Sequence, residues 1–448
     1  ALAMSPDRAQ PWTAASMLLD VTTHFQTREG KVYTPANFDR QEHGPVRLRQ
    51  ALASSLNIPA VFALNHVGLS DEFAFLRRLG IDDLGQPQDY DISLALGGGE
   101  VSLLNLTTAY AVLANQGQSV HPYAILDVQD GLGQERYRAP EITGEQVLDA
   151  RLAWLISDIL SDDAARSIGF PANSVLNIGR PAAVKTGTTT NFHDNWTMGY
   201  TPDLVVGVWV GNAGQEPMRD VTGLSGAGPI WHTIIRDLTA GQPAADFVRP
   251  QGLQQVEVCS PSGLLPTPDC SDRIREWFIE GTVPVQMDNI YHRVSINRRT
   301  GELATETTPA ADIMETTALD LPLEATAWAH RQGILLWTNL QQHTNTDAVV
   351  QAQSAQIKII SPAEGALYVF SNKLPAESQQ VLIEAVPGTG VQSVKLYVDD
   401  VLLAEVAQYP YQTWWSLTPG DHRFSATAVG GDGSLFTSPT VSIHVQQE

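Results

Sequence analysis

Residues 182–212 read AAVKTGTTTNFHDNWTMGYTPDLVVGVWVGN, and this stretch decides the fold of the first half of the chain. AAVKTGTT is small and β-tolerant, NWTMGY alternates apolar with polar residues, and LVVGVWV is a nearly continuous apolar run. The sequence TPD between the last two segments favours a turn, because proline presets φ and aspartate can bond to its own backbone. The pattern predicts three short strands in an antiparallel meander, with a central strand that is buried on both faces.

The leading strand of this meander carries Lys185, Thr186, Gly187 and Thr188. A lysine ammonium, two hydroxyls and a glycine without a side chain form a cationic ledge along one strand. An extended substrate that ends in a carboxylate could lie there and pair with the backbone by strand addition. The tripeptide Lys-Thr-Gly is weak by itself, because it recurs by chance and most copies are loop or strand surface.

Placed at the head of such a meander, Lys-Thr-Gly resembles the third motif of the penicillin-binding protein and serine β-lactamase superfamily. The flanking segments VKTGTT and NWTMGYTPDLVVGVWVGN, and GLSGAGPIW at 223–231, resemble the transpeptidase domain of bifunctional (class A) penicillin-binding proteins. The resemblance implies a peptidoglycan D,D-transpeptidase that transfers acyl groups from D-Ala-D-Ala stem peptides through a serine acyl-enzyme. It also implies that β-lactams bind at this site.

The resemblance implies a role for each residue of the ledge. Lys185 would supply positive potential beside a proton relay. The hydroxyls of Thr186 and Thr188 would hold the terminal carboxylate, and the backbone N–H of Thr188 would be one of two oxyanion donors. Gly187 would let the substrate approach the strand.

A second motif candidate lies in HGPVRLRQALASSLNIPAVFALNHVG at residues 43–68. The segment predicts two helices, with Pro45 at the start of the first and Pro59 at the beginning of the second. The break between them holds Ser55 and Asn57, whose ordinary interpretation is capping of the next helix. Serine-any-asparagine is also the superfamily's second motif, and LRQALASSLNIPAV resembles its surroundings in class A proteins. The resemblance implies that Ser55 relays a proton and that the Asn57 amide bonds the substrate backbone.

Further helices are expected around the predicted sheet. Apolar spacing and terminal signals predict helices at 70–80, at about 102–115, across 142–162 and across 228–241. The glycine run at 97–99 could cradle phosphate at a helix N-terminus, but it lacks the trailing Gly-Lys-Ser/Thr of a P-loop, so we assign it to packing. Helices around an antiparallel sheet predict an α+β domain over residues 1–242.

Composition excludes several function classes. The formal charge of −22 and a pI of about 4.8 argue against a nucleic-acid partner, which requires a basic stripe. No run approaches eighteen apolar residues, so no transmembrane helix is predicted. The chain starts ALAMSPDRAQPW, without methionine and without the features of a signal peptide, so we expect a piece of a longer protein. No pattern indicates a metal or a cofactor.

Cys259 and Cys270 lie in CSPSGLLPTPDC, a loop rich in proline and glycine. Their spacing favours a disulfide and an oxidising compartment, with two free thiols as the alternative. The family resemblance strengthens the disulfide. It also implies a periplasmic location, with the full-length parent anchored in the bacterial inner membrane.

Two regions follow the first domain. Residues 243–350 lack a sustained period and resemble the connecting region of the penicillin-binding protein 1C group, so we interpret them as a docked linker without chemistry apart from the cysteines. Residues 351–448 predict about seven short strands and resemble the C-terminal accessory domain of that group, an Ig-like β-sandwich. Trp414 and Trp415 are adjacent, so one should face outward, either in edge packing or as a platform for a saccharide or another cell-wall synthesis protein.

The superfamily's first motif is Ser-any-any-Lys, which supplies the nucleophile and its base. No serine in the 448 residues has a lysine three positions later. In the family this motif precedes the segment that ALAMSPDRAQPW resembles, so we expect it upstream, with a glycosyltransferase domain and a membrane anchor. By itself the chain is expected to be inactive.

Two other functions stay open. A D,D-carboxypeptidase or β-lactamase of the same fold is disfavoured by the linker and the sandwich. A non-catalytic wall-binding scaffold has only the missing nucleophile in its favour.

Overall fold

The structure is a computed structural model. It describes residues 1–27, 31–140, 144–171, 173–189, 192–214, 216–219, 221–342, 357–362, 364–370, 379–387, 391–408, 411–431 and 433–447. The chain divides into two compact units. The first comprises residues 1–18, 46–265 and 273–286, and the second comprises residues 19–45, 266–272 and 287–448.

Both helices and strands occur throughout the described residues. The α-helices are α1 (Leu48–Ala53), α2 (Asn57–Val67), α3 (Leu69–Arg78), α4 (Leu103–Ala114), α5 (Ala150–Leu160), α6 (Ala227–Leu238), α7 (Thr326–Arg331) and α8 (Trp337–Gln342). The strands as far as residue 319 are β1 (Met17–Asp20), β2 (Phe25–Gln26), β3 (Val32–Tyr33), β4 (Gly44–Arg47), β5 (Asp127–Gln129), β6 (Glu135–Arg138), β7 (Ala183–Thr188), β8 (Asp194–Thr201), β9 (Leu204–Gly211), β10 (Leu253–Cys259), β11 (Arg273–Ile279), β12 (Tyr291–Asn297) and β13 (Ile313–Leu319). The later strands are β14 (Ile357–Ser361), β15 (Ala366–Phe370), β16 (Gln380–Pro387), β17 (Val391–Val398), β18 (Val401–Val406), β19 (Gln412–Ser416), β20 (Gly420–Gly430), β21 (Leu435–Thr437) and β22 (Val441–Gln447).

The predicted meander is confirmed. β7, β8 and β9 form an antiparallel sheet in that order, and the turn between β8 and β9 falls at Pro202 and Asp203. The central strand β8 is buried along most of its length, whereas β7 forms one edge of this sheet among the described residues. The register places Lys185 opposite Met198 and Gly187 opposite Trp196.

Helices cover both faces of this sheet, which is the expected α+β arrangement. On one face Trp231 of α6 is fully buried against Gly199 of β8. On the other face Tyr200 of β8 shares a hydrogen bond of 2.9 Å with Ser157 of α5 and meets the ring of Tyr110 of α4 edge-on. The sheet is therefore held rigidly between two helical layers.

Two helices begin later than the sequence predicts. The predicted helix start at Pro45 is wrong, because Pro45 lies in strand β4. Extended backbone also suits the fixed φ of proline. α1 begins at Leu48. The Gln50 side chain caps this end of the helix by accepting a hydrogen bond from the Arg47 N–H at 3.1 Å. Pro59 does lie in the first turn of α2.

The helix predicted across 142–162 is also shorter. It begins at Ala150, because the carboxylate of Asp149 caps it by accepting from the Arg151 N–H at 2.8 Å. Residues 142 and 143 lie outside the described part of the chain.

The region after residue 242 contains more structure than the predicted linker. β10 pairs with β11 and β12 pairs with β13, both antiparallel. Val258 and Phe278 of the first hairpin are buried with Ala15 in the first unit. Val294 and Ile296 of the second hairpin are buried in a cluster of the second unit. Long Thr- and Pro-rich connections between the strands conceal their short alternation in the sequence.

Cys259 and Cys270 are both disulfide-bonded, and each is almost fully buried. Among the described residues, no helix combines the length and the apolar character needed to cross a membrane.

The C-terminal strands form two sheets. β14, β16 and β19 form the smaller one, and β15, β22, β20, β17 and β18 form the larger one, in which β21 also pairs with β20. Side chains of both sheets share one hydrophobic cluster. The positions that strand alternation predicts as buried are all buried: Val381, Ile383, Leu396, Val398, Phe424 and Ile443. Trp414 is 52% exposed, whereas Trp415 packs edge-on against Phe424 at 5.4 Å.

Candidate active site

Lys185 and Ser55 meet although 130 residues separate them in the chain. The Lys185 Nζ donates to Ser55 Oγ at 2.5 Å and to the Thr186 carbonyl at 2.6 Å. Burial, with a smaller contribution from the positive charge of Arg166, lowers the pKa of Lys185 to about 8. An amine with this pKa can donate or accept a proton near neutral pH, and the Ser55 hydroxyl is its immediate partner.

Ser55 lies in the tight turn between α1 and α2, with a left-handed backbone φ of 59°. A non-glycine residue in this region is strained, and such strain persists only where the surroundings over-determine the conformation. The neighbouring Ser54 is buried, and its Oγ donates to the Ala165 carbonyl at 2.9 Å. Gly169 packs so closely on this turn that an added Cβ would lie 2.2 Å from the Ser54 carbonyl oxygen. These contacts aim the Ser55 side chain at Lys185.

Asn57 is the first residue of α2 and lines the same cavity as Ser55 and Lys185. The N-cap position of α2 is occupied by Leu56, and no side-chain hydrogen bond caps the helix there. Helix capping therefore does not account for the serine and asparagine in this turn.

The loop that contains Gly223 packs against β7, the strand that carries Lys185, Thr186 and Gly187. The Thr188 Oγ1 accepts a hydrogen bond from the Gly223 N–H at 3.0 Å, and Thr197 Oγ1 donates to the Gly223 carbonyl at 2.9 Å. An added Cβ at Gly223 would lie 2.8 Å from the Gly187 carbonyl, so only glycine permits this approach. Because Thr188 Oγ1 accepts here, its own O–H stays available to donate elsewhere.

These residues face a cavity of about 1170 Å³. It brings together every residue that the sequence nominates for catalysis or substrate binding: Ser55, Asn57, Lys185, Thr186, Gly187 and Thr188. The cavity is large enough for a peptide substrate several residues long.

Other parts of the cavity wall carry no sequence signal of a site. The glycine run at 97–99 packs closely, as predicted, since an added Cβ at Gly99 would lie 2.7 Å from Leu84. The same run also lines the cavity, next to Glu100. Trp196 and Trp209 form a tilted pair on the sheet side, with ring centroids 6.3 Å apart. Alternation along β8 and β9 shows which strand face each indole occupies but not that a cavity lies there.

Asp194 orients this aromatic wall. Its Oδ1 accepts from the Trp209 Nε1–H at 2.8 Å, and its backbone N–H donates to Thr189 Oγ1 at 2.8 Å. The Trp209 indole on β9 is thus fixed in position. It meets the ring of Trp196, which lies opposite Gly187 of β7 and presents apolar surface to the cavity.

A serine-any-asparagine turn that meets a lysine-threonine-glycine edge strand in one cavity is the arrangement of the penicillin-recognising serine acyltransferases. The family follows from comparison with known proteins. Residues 16–236 match the penicillin binding protein transpeptidase domain, and residues 249–293 match the C-terminal domain of penicillin-binding protein 1A. The chain therefore carries a transpeptidase domain of the penicillin-binding protein family.

Similar proteins include penicillin-binding proteins 1A and 1C. The chain is 34% identical over 263 residues to penicillin-binding protein 1A of Aquifex aeolicus (strain VF5), covering 58% of this chain and 35% of that protein. It is 30% identical over 278 residues to penicillin-binding protein 1C of Escherichia coli (strain K12), covering 60% and 33%. A crystal structure of penicillin-binding protein 1A from Haemophilus influenzae superposes with a TM-score of 0.55 at 26% identity, covering 62% of this chain and 46% of that chain. The chain thus spans about a third of the length of these curated relatives.

Proposed function

We propose that this chain contributes the transpeptidase site of a peptidoglycan D,D-transpeptidase. Acyl transfer would run from D-Ala-D-Ala stem peptides through a serine acyl-enzyme, and β-lactams would acylate the same serine. The observation that carries the proposal is the contact of 2.5 Å between Lys185 Nζ and Ser55 Oγ, on an edge strand with an open cavity before it.

We assign the residue roles from the family resemblance, and this geometry supports them. The amine of Lys185 would exchange a proton with Ser55, and Ser55 would pass it to the leaving group or take it from the nucleophile. The O–H groups of Thr186 and Thr188 would hold the substrate carboxylate, and the backbone N–H of Thr188 would stabilise the oxyanion.

The two remaining positions would bind the substrate backbone. The Asn57 amide would bond to a peptide group of the stem, because an amide can both donate and accept. Gly187 would admit the substrate to the strand, since no side chain rises between the ligand and β7.

The nucleophile would come from sequence outside these 448 residues, because no Ser-any-any-Lys occurs within them. By itself the chain would then bind substrate without acylation. The family resemblance would place this part in the periplasm, within a bifunctional parent that is anchored in the inner membrane.

For residues 351–448 we propose an Ig-like accessory sandwich. Two sheets around one cluster support it, as does the parallel pairing of β15 with β22, which adds an edge strand to the larger sheet. The exposed Trp414 would be the contact for cell-wall material or for another cell-wall synthesis protein. Residues 243–350 would connect this domain to the transpeptidase domain of residues 1–242.

Labelling with a fluorescent penicillin tests the proposal. The 448-residue chain should form no covalent adduct, whereas a chain extended upstream through a Ser-any-any-Lys motif should be acylated. In the longer chain, Lys185→Ala should slow acylation by about 10²–10³-fold, comparable to the loss of one oxyanion donor. Normal acylation of that variant would exclude Lys185 from the site, and an adduct of the short chain at Ser54 or Ser55 would refute an external nucleophile. Partition of the acyl-enzyme between an amine acceptor and water separates a transpeptidase from a carboxypeptidase or β-lactamase.

A further inference from the structure

α1 is anchored by a buried ionic cluster that the proposed chemistry does not use. The Arg49 guanidinium donates to both carboxylate oxygens of Glu276, from Nε at 2.7 Å and from Nη2 at 2.6 Å. It also donates to Asp158 at 2.6 Å and to Asp162 at 3.2 Å. The side chains of Arg49 and Glu276 are 9% and 1% exposed. One arginine of α1 thus links α5, the residues that follow α5, and strand β11.

A buried ionic cluster of this kind adds little to the free energy of unfolding. Removing ionised groups from water costs several kcal/mol per ion, and well-packed apolar residues often stabilise a fold as much or more. What an ion cluster adds is a fixed geometry, because a bidentate guanidinium–carboxylate pair tolerates only one relative orientation. The backbone N–H of Trp277 fixes the Glu276 carboxylate in turn, at 2.8 Å from its Oε1.

The cluster connects directly to the turn that holds Ser55. The Asp162 Oδ1 accepts from the Ala165 N–H at 2.9 Å, and the Ala165 carbonyl accepts from Ser54 Oγ at 2.9 Å. Arg49 and Ser54 therefore bind the same short segment, one at each end of α1. Because Ser55 has a strained backbone, it keeps its aim at Lys185 only while both ends of α1 are held.

We propose that Glu276 is a positioning residue of the active site: through Arg49 it holds α1 in the orientation that brings Ser55 Oγ to Lys185 Nζ. The β10–β11 hairpin then contributes to the geometry of the active site and does more than connect two regions of the chain. The consequence for acylation rests on the proposed function, but the effect on the Ser55–Lys185 contact does not.

The reactivity of the Lys185 amine reports on this contact in the 448-residue chain. Pulse labelling with an amine-specific acylating reagent at pH 8, followed by peptide mapping, gives its rate relative to Lys358, whose side chain is 60% exposed. If Glu276→Gln lets α1 move, water reaches the amine and its pKa rises. A rise of one pKa unit would lower the neutral, reactive fraction of the amine at pH 8, and with it the labelling rate, about fivefold.

Glu257→Gln is the matched control. Glu257 lies on the same hairpin, in β10, and makes only a loose pair with Arg273 at 3.8 Å near the surface. Its replacement should leave the Lys185 rate unchanged. An equal rate in wild type and Glu276→Gln, with both folded, would overturn the proposal, as would an equal loss in the control.

A second pair of variants separates positioning from stability. Arg49→Met/Glu276→Leu replaces the buried pair by apolar residues. Asp158 and Asp162 lose Arg49 as a partner but are 26% and 30% exposed, so the variant should stay folded. It should nevertheless show the altered Lys185 rate, whereas Glu276→Asp should restore part of the wild-type rate. A well-folded double variant with wild-type Lys185 reactivity would overturn the proposal.

The same variants in the upstream-extended chain connect the inference to acylation. Glu276→Gln should lower the rate of penicillin acylation with little change at Glu257→Gln. If the extended wild type is not acylated at all, the proposed function fails, while the Lys185 measurement still decides the role of Glu276.

Discussion

Lys185 holds its amine against the Ser55 turn, where burial removes water from around the charge. The buried state disfavours the ammonium, and the nearby Arg166 adds repulsion, so the pKa is lowered to about 8. The neutral amine is what a proton relay to Ser55 requires. The lowered pKa therefore suits the proposed proton transfer and reduces stability at lower pH.

This cost appears as a dependence of stability on pH. The folded-state pKa of Lys185 is about 8 and the ordinary value is 10.5, so between these values the unfolded chain binds more protons than the folded chain. The free energy of unfolding therefore rises as pH increases through this window, and below it the full cost of burying the charge is present.

We predict that the free energy of unfolding of the wild type, minus that of Lys185→Met, increases from pH 8 to pH 10.5. Other titrating groups cancel in the difference. Chemical denaturation at several pH values measures it, and a flat difference would show that Lys185 is solvated like a surface lysine.

At the scale of elements, the meander contains two glycines with opposite roles. Gly199 of β8 faces α6, and an added Cβ would lie 2.4 Å from the buried indole of Trp231. At Gly187 of β7, the nearest atom to an added Cβ is the Cβ of Trp196 at 3.5 Å, an ordinary contact. The first glycine permits packing of a helix on the sheet, and the second keeps the cavity face of the edge strand open.

Gly199→Ala should lower the free energy of unfolding by about 1–3 kcal/mol, the usual cost of overpacking a core. Gly187→Ala should leave it nearly unchanged and should weaken penicillin acylation of the upstream-extended chain. Thermal melts and acylation rates of the two variants provide the comparison. Equal destabilisation by both would mean that Gly187 is also a packing glycine.

At the scale of the whole molecule, the C-terminal sandwich is built around its own hydrophobic cluster. It nevertheless makes one buried polar contact with an early segment of the second unit. The Glu384 side chain on β16 is 5% exposed, and its Oε2 lies 2.8 Å from His24 Nε2. In the intact chain this carboxylate depends on a partner that is distant in sequence.

Expressed alone, residues 351–448 should melt cooperatively, and Glu384→Ala should have almost no effect there because the carboxylate faces water. In the full chain the same change leaves His24 Nε2 without its carboxylate partner and should cost about 1–3 kcal/mol. Glu405→Ala is the control, since Glu405 accepts from Ser393 at 2.8 Å within the sandwich and its effect should be similar in both chains. A featureless melt of the segment would show that the sandwich cannot fold alone.

The sequence by itself determined the meander and the buried strand positions, and it nominated the candidate site residues. Strand alternation predicts the meander and the buried positions of the sandwich, because the neighbours along a strand define its two faces. Short motifs predict Ser55, Asn57 and the strand from Lys185 to Thr188, since these residue types carry their chemistry with them.

Only the tertiary structure decided which distant residues meet. Ser55 and Lys185 are separated by 130 residues, and Arg49 and Glu276 by 227, yet each pair is in hydrogen-bond contact. The cavity role of the glycine run at 97–99 and the structured hairpins after residue 242 belong to the same category. Local preferences depend on neighbouring residues, whereas a cavity or a buried ion cluster depends on how whole elements pack, and the sequence pattern of any one element does not contain that information.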